Sequence, residues 1–114
     1  MDEGNKMYYI YMLRCEDNSI YTGITTDIKR RMEEHFSKGK KCAKYTFTHH
    51  AKKLEGVWQT ENKQLASKLE YHIKTLNKKQ KEEIIKNKEL LHFMLKDKIN
   101  PSKYIKIDEH YSLE

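Results

Sequence analysis

From Met7 to Arg14 the chain reads Met-Tyr-Tyr-Ile-Tyr-Met-Leu-Arg, a run of aromatic and branched side chains that predicts a β-strand. The polar cluster Glu16-Asp17-Asn18-Ser19 predicts a turn, and Ile20-Tyr21-Thr22-Gly23-Ile24-Thr25 a second strand, so the two form a hairpin. Gly23 inside the second strand marks either a bulge or a close backbone approach. Thr26 or Asp27 then caps a helix running to about Phe36, with Ile28, Met32 and Phe36 as its buried stripe. A basic loop is expected next, holding Gly39-Lys40-Lys41 and Ala43-Lys44-Tyr45-Thr46.

Leu54-Glu55-Gly56-Val57-Trp58-Gln59 predicts a third strand, and Thr60 is expected to cap a helix whose apolar positions are Leu65, Leu69, Ile73 and Leu76. Asn77, followed three residues later by Gln80, is a second capping signal. The helix it opens passes through Ile84 and Ile85, and its pattern can extend as far as Asp97. Asn100-Pro101-Ser102 interrupts any helix, leaving Tyr104 to Ile107 as a short edge strand. The order ββαβαα predicts an α+β domain whose small sheet is covered by helices.

Composition changes this picture little. With 114 residues there is room for one domain, and one Trp, eight Tyr and three Phe supply a core. No apolar run approaches the roughly 20 residues of a membrane span. Met1 to Lys6 lacks the basic flank and apolar region of a signal peptide. Cys15 and Cys42 have neither the number nor the spacing of a disulfide framework or a zinc site. They are expected to be ordinary thiols, and the protein to be cytoplasmic.

Charge changes it more. Lys and Arg total 23 against 17 Asp and Glu, a net +6, and only Arg14, Arg30 and Arg31 are arginines. Between Ile28 and Lys53 stand nine cations and two anions, so that segment carries the whole surplus. Tyr45, Phe47, His49 and His50 are interleaved with it. Cations hold a phosphate backbone and aromatic rings stack on exposed bases, so a nucleic acid is the expected partner. Arg31 and His35, one helical turn apart, share a face beside the buried stripe.

Tyr9-Ile10-Tyr11, Tyr21-Thr22-Gly23 and Asp27-Ile28-Lys29-Arg30-Arg31 with His35 follow one another in an order that resembles the GIY-YIG nuclease superfamily. Leu13-Arg14-Cys15, Tyr21 to Asp27 and Ala43-Lys44-Tyr45-Thr46 resemble its small single-domain bacterial branch, the YhbQ-like proteins. Tyr9 stands where the family name has glycine, and the second motif reads Tyr-Thr-Gly. The resemblance covers about residues 7–88, and it implies a three-stranded antiparallel sheet flanked by helices. Residues 1–6 are then an N-terminal tail and 89–114 a C-terminal extension. Leu90, Leu91, Phe93, Met94 and Leu95 make that extension apolar enough to pack on the domain.

The resemblance further implies hydrolysis of phosphodiester bonds, most readily of DNA, with a single Mg²⁺ or Mn²⁺. By position, Tyr11 and Tyr21 are the motif tyrosines, Arg31 the catalytic arginine, His35 the histidine one turn on, and Glu70 the metal-binding glutamate. One carboxylate suffices for Mg²⁺ when substrate and water complete the shell. Arg31 and His35 are expected to serve the phosphate. Tyr21 is expected as general base with Tyr11 as its helper, the reverse order standing as the alternative. Contacts to nucleic acid are expected from Arg30, Lys40, Lys41, Lys44, Tyr45 and Lys74. A domain of this size is expected to follow substrate structure rather than a long sequence. The competing reading is a non-catalytic DNA- or RNA-binding module on the same fold.

Overall fold

The computed structural model describes residues 6–37 and 43–108. Its elements are β1 (Tyr8–Cys15), β2 (Ile20–Thr25), α1 (Ile28–Phe36), α2 (Lys44–Thr48), β3 (Ala51–Thr60), α3 (Lys63–Lys74), α4 (Lys78–Lys86), α5 (Leu90–Met94) and β4 (Ile105–Ile107). The strands form one antiparallel sheet in the order β2-β1-β3-β4. The fold is α+β as expected, but the sheet has four strands and not the three implied by the resemblance. Ile105 to Ile107 pair with Val57 to Gln59 along the outer edge of β3. No helix among the described residues is long and apolar enough to cross a membrane.

Successive residues of a strand point to opposite faces, and β1 is apolar on both. Ile10 and Met12 join Trp58 in a core beneath α3, α4 and α5, with Leu69, Ile73, Ile84 and Leu91. Tyr11 and Leu13 point the other way, into a smaller core with Met32 and Phe36 of α1 and Val57 of β3. The C-terminal segment closes the larger core through Leu95, Ile99 and Tyr104. It is tied there by the Tyr104 hydroxyl donating to the Leu65 carbonyl at 2.7 Å, and by Thr60 Oγ1 donating to the Lys103 carbonyl at 2.8 Å.

That last bond explains one departure from expectation. Thr60 ends β3 instead of capping α3, and Asn62 takes the cap, its side chain accepting from Leu65 N–H. Asp27 caps α1, and Asn77 with Gln80 forms the expected capping box on α4. The helix stops at Lys86, and α5 is a separate short helix. Within the stretch expected as a basic loop, residues 44–48 form α2; Lys40, Lys41 and Cys42 lie outside the described residues.

Gly23 causes no bulge, because β1 and β2 pair in continuous register. The irregularities lie between β1 and β3, where Met12 pairs with Gly56 but Leu13 with Leu54, leaving Glu55 as the extra residue. Glu55 accepts from Arg14 Nε at 3.0 Å, while Arg14 Nη1 and Nη2 donate to Glu82 of α4 at 2.5 and 2.6 Å. Arg14 is therefore the clamp between α4 and the sheet. Arg14→Ala leaves two carboxylates facing each other, and should lower stability by about 2 kcal/mol in urea unfolding. Arg14 also holds the Glu82 carboxyl below its ordinary 4.5. The clamp's contribution is accordingly complete above that pH and lost as pH falls through the lowered folded value.

Candidate active site

The site forms where β1, β2, α1, α2 and α3 bring one or two side chains each to the face of the sheet under α1. Tyr11 is the centre of it. Its partner across the hairpin is Gly23, and the missing side chain there lets the phenol lie over β2. A Cβ on Gly23 would stand 2.6 Å from Tyr11 Oη, 2.8 Å from Tyr11 Cζ and 3.0 Å from Tyr21 Cε2. Of the two readings of this glycine, close approach is the one realised.

Tyr11 is only 1% exposed, and His35 is completely buried. Tyr11 Oη lies 2.6 Å from His35 Nε2, and His35 Nδ1 lies 2.7 Å from Thr46 Oγ1 on α2. The Arg31 charge also acts on the phenol, stabilising its ionised form. A nearby cation favours the phenol lone pairs on its own side, which leaves the phenol hydrogen for His35 Nε2. Burial, and then the neighbouring Tyr21, push the Tyr11 hydroxyl far above its ordinary pKa, with Arg31 opposing. Burial, and then the Arg31 charge, lower His35 to about 4, so it is neutral at physiological pH. A phenol between a fixed cation and a neutral imidazole can take a proton from one side while losing its own to the other.

His35 was expected beside Arg31 on the helix surface, facing a phosphate. It faces inward because α1 is covered twice, by the sheet and by α2. Arg31 lies at the rim, about a fifth exposed, with Nη1 donating to Glu34 Oε1 at 2.6 Å.

Tyr21 is half-buried, its ring centroid 6.2 Å from Tyr11 and 5.4 Å from His35. Tyr45 stacks on it at 5.6 Å and on His49 at 4.2 Å; His49 Nδ1 lies 2.5 Å from Asp17 Oδ2 in the hairpin turn. Glu70 and Lys74 come from α3, whose Leu69 and Ile73 are buried on the opposite face of the sheet. Because β2 is the outer strand, side chains on the flank of α3 can pass it. Lys74 Nζ stands 5.8 Å from the Tyr21 ring centroid and 3.3 Å from Glu70 Oε2. The Glu70 charge is also felt at Tyr11.

The other expected contacts are peripheral. Arg30 is exposed, its Nε 3.9 Å from Glu34, and Lys44 is exposed at the start of α2. The structure thus gathers Tyr11, Tyr21, Arg31, His35, Glu70, Lys74 and Tyr45 about one edge of the sheet. Thr46 is the member that residue-by-residue reading did not single out. Its signal is the Ala43-Lys44-Tyr45-Thr46 motif, in which Lys44 and Tyr45, but not Thr46, are expected to meet nucleic acid.

Among the described residues no three His, Cys, Asp or Glu side chains converge as a metal cage. Glu70 Oε2 pairs with Lys74, and Oε1 has no partner among the described residues. One half-buried carboxylate with a free oxygen fits a hard cation such as Mg²⁺ or Mn²⁺, which keeps waters and takes substrate oxygens. It does not fit a tetrahedral zinc site.

A family model described as the GIY-YIG catalytic domain matches residues 7–83. UPF0213 protein FN1575 of Fusobacterium nucleatum is 51% identical over 78 residues, which are 68% of this chain and 76% of that one. UPF0213 protein YhbQ of Salmonella typhimurium is 38% identical over 91 residues, 77% of this chain and 86% of that one. The solution NMR structure of UPF0213 protein BH0048 from Bacillus halodurans is 34% identical, covering 70% of this chain and 83% of that one, with a TM-score of 0.45.

Proposed function

The chain belongs to the GIY-YIG family, and on that premise we propose that it is a divalent-metal-dependent endonuclease hydrolysing phosphodiester bonds, of DNA in the first instance. The observation that carries this reading is the Tyr11 phenol held between Arg31 and the buried His35. A surface that only binds a polyanion has no use for such a pair.

In the reaction a water oxygen attacks phosphorus and one P–O ester bond breaks. Arg31, at the rim, offsets the charge gathering on the phosphoryl oxygens while its own charge continues to act on the phenol. Tyr11 takes the water's proton as its own hydrogen passes to His35 Nε2. Arg31 depresses the basicity of His35 in the free protein; a phosphate on Arg31 relieves that effect when the proton must be accepted. Tyr21, whose hydroxyl has no hydrogen bond among the described residues, orients the water. This order of roles is the alternative the sequence left open, and it is supported by Tyr11, not Tyr21, bonding His35. Glu70 would hold the Mg²⁺ or Mn²⁺, and such an ion supplies stabilisation of the leaving oxygen. Lys74 pairs with Glu70 and stands beside the Tyr21 ring.

Binding falls to Arg30, Lys40, Lys41, Lys44, Tyr45 and Lys74. Cations hold backbone and a ring stacks on any base, so cleavage follows substrate structure with low sequence specificity. The test is cleavage of branched, flapped, single- and double-stranded DNA, and of RNA, with Mg²⁺ or Mn²⁺. Chelation should abolish it, and Arg31→Met and Glu70→Gln should each slow it by about 10²-fold. Undiminished cutting by both variants, or none by the wild type on any substrate, sinks the assignment. Salt-sensitive binding without cutting would instead identify a binding module.

A further inference from the structure

His35 is held by hydroxyls at both ring nitrogens, Tyr11 Oη at 2.6 Å from Nε2 and Thr46 Oγ1 at 2.7 Å from Nδ1. A neutral imidazole carries one hydrogen, so this row can be wired in either direction, and only one direction leaves Nε2 able to receive a proton. The two ends of the row point to the same direction.

At one end the charge of Arg31 acts on the phenol, and a cation turns a hydroxyl's hydrogen away from itself, here toward Nε2 at 2.6 Å. At the other, Thr46 Oγ1 donates to the Ala43 carbonyl at 3.2 Å, the usual bond of a hydroxyl to the preceding turn. Its single hydrogen is then spent, and what it offers Nδ1 is a lone pair. Both ends favour the hydrogen on Nδ1 and the lone pair on Nε2. Thr46 is completely buried, so water does not replace it.

We infer that Thr46 is a positioning residue that holds His35 in the Nδ1–H tautomer, keeping Nε2 free to accept the Tyr11 proton. Accepting it turns His35 into an imidazolium with a hydrogen on each nitrogen, one toward Tyr11 and one toward Thr46, so no hydrogen has to be rearranged. Tyr45, the preceding residue, stacks on Tyr21 at 5.6 Å. Two consecutive residues of α2 therefore brace the two sides of the site. The catalytic consequence rests on the proposed hydrolysis, whereas the tautomer does not.

The experiment is a side-chain ¹⁵N–¹H spectrum of ¹⁵N-histidine-labelled protein at pH 7.5, together with single-turnover cleavage. The wild type should show His35 with a protonated Nδ1 and an unprotonated Nε2. Thr46→Val keeps the shape and removes the hydroxyl. It should move a large part of His35 to the Nε2–H form and slow cleavage by about tenfold with little change in substrate affinity. Thr46→Ser should restore both, which a purely structural role for the methyl group would not do. A wild-type Nε2–H tautomer, an unchanged tautomer in Thr46→Val, or failure of Thr46→Ser to restore it would overturn the inference. If the spectra behave as expected while the wild type cuts nothing, the proposed hydrolysis fails and the assignment of Thr46 stands.

Discussion

Gly23→Ala should reduce cleavage by more than about 10³-fold and lower stability by about 2–4 kcal/mol. The new carbon would stand 2.6 Å from Tyr11 Oη and 2.8 Å from Cζ. Real carbon contacts do not come so close, so something must move. The obstructing atoms are not the end of a flexible chain. They belong to a rigid ring that is 1% exposed and hydrogen-bonded to a fully buried histidine. Pushing the ring off β2 breaks the bond to His35, and pushing β2 away opens the hairpin.

Backbone conformation is not the cause, since no glycine among the described residues has positive φ. Urea unfolding and single-turnover cleavage measure the two effects. A double mutant separates the mechanism from a general weakening of β2. In the background of Tyr11→Leu, which removes the ring, adding Gly23→Ala should cost less than about 1 kcal/mol. An equal cost in both backgrounds would show that the clash is not with Tyr11.

Acidification from pH 6.5 to pH 4 should remove about 3 kcal/mol of stability through His35 alone. Burial, followed by the charge of Arg31, lowers this imidazole from 6.5 to about 4 in the folded protein. Between those values the unfolded chain binds a proton there that the folded chain does not. Stability is therefore complete above pH 6.5 and declines as pH falls toward 4, with a slope near 1.4 kcal/mol per unit at most. Carboxylates enter lower down: Asp17 and Glu82 are both held below their ordinary values, 3.8 and 4.5. The range from pH 6.5 to 4.5 thus isolates the histidine. Urea unfolding of the wild type and of His35→Gln should show a slope in the first and a flat line in the second. Parallel curves would mean that His35 is free to ionise in the folded state.

Local pattern carried most of the secondary structure. The hairpin, Asp27 and the Asn77–Gln80 box lie within a few residues of the atoms they bond, so propensity and capping geometry suffice to find them. The short edge strand at Tyr104 to Ile107 was legible too, but its partner and the cap of α3 were not, because each depends on a distant neighbour. Ile105 to Ile107 become a strand only because β3 leaves an edge open to them. Thr60 is drawn from a cap into the end of a strand by Lys103.

The site divides in the same way. The residue types and their order, Tyr11, Tyr21, Arg31, His35 and Glu70, stand in the chain, together with a positive segment suited to a polyanion. Their wiring does not, because a side chain's hydrogen-bond partners are chosen by packing. His35 and Arg31 look equivalent on a helical wheel, yet one is buried against α2 and the other stays at the rim. Thr46 is eleven residues from His35, and Glu70 reaches the tyrosines from a helix whose apolar face lies on the other side of the sheet. What the chain determined by itself was the inventory, since periodicity, charge and motif order are local properties. Only the tertiary structure decided which phenol meets the imidazole and which hydroxyls flank its two nitrogens, because burial excludes water and leaves each polar atom only the partners that packing brings to it.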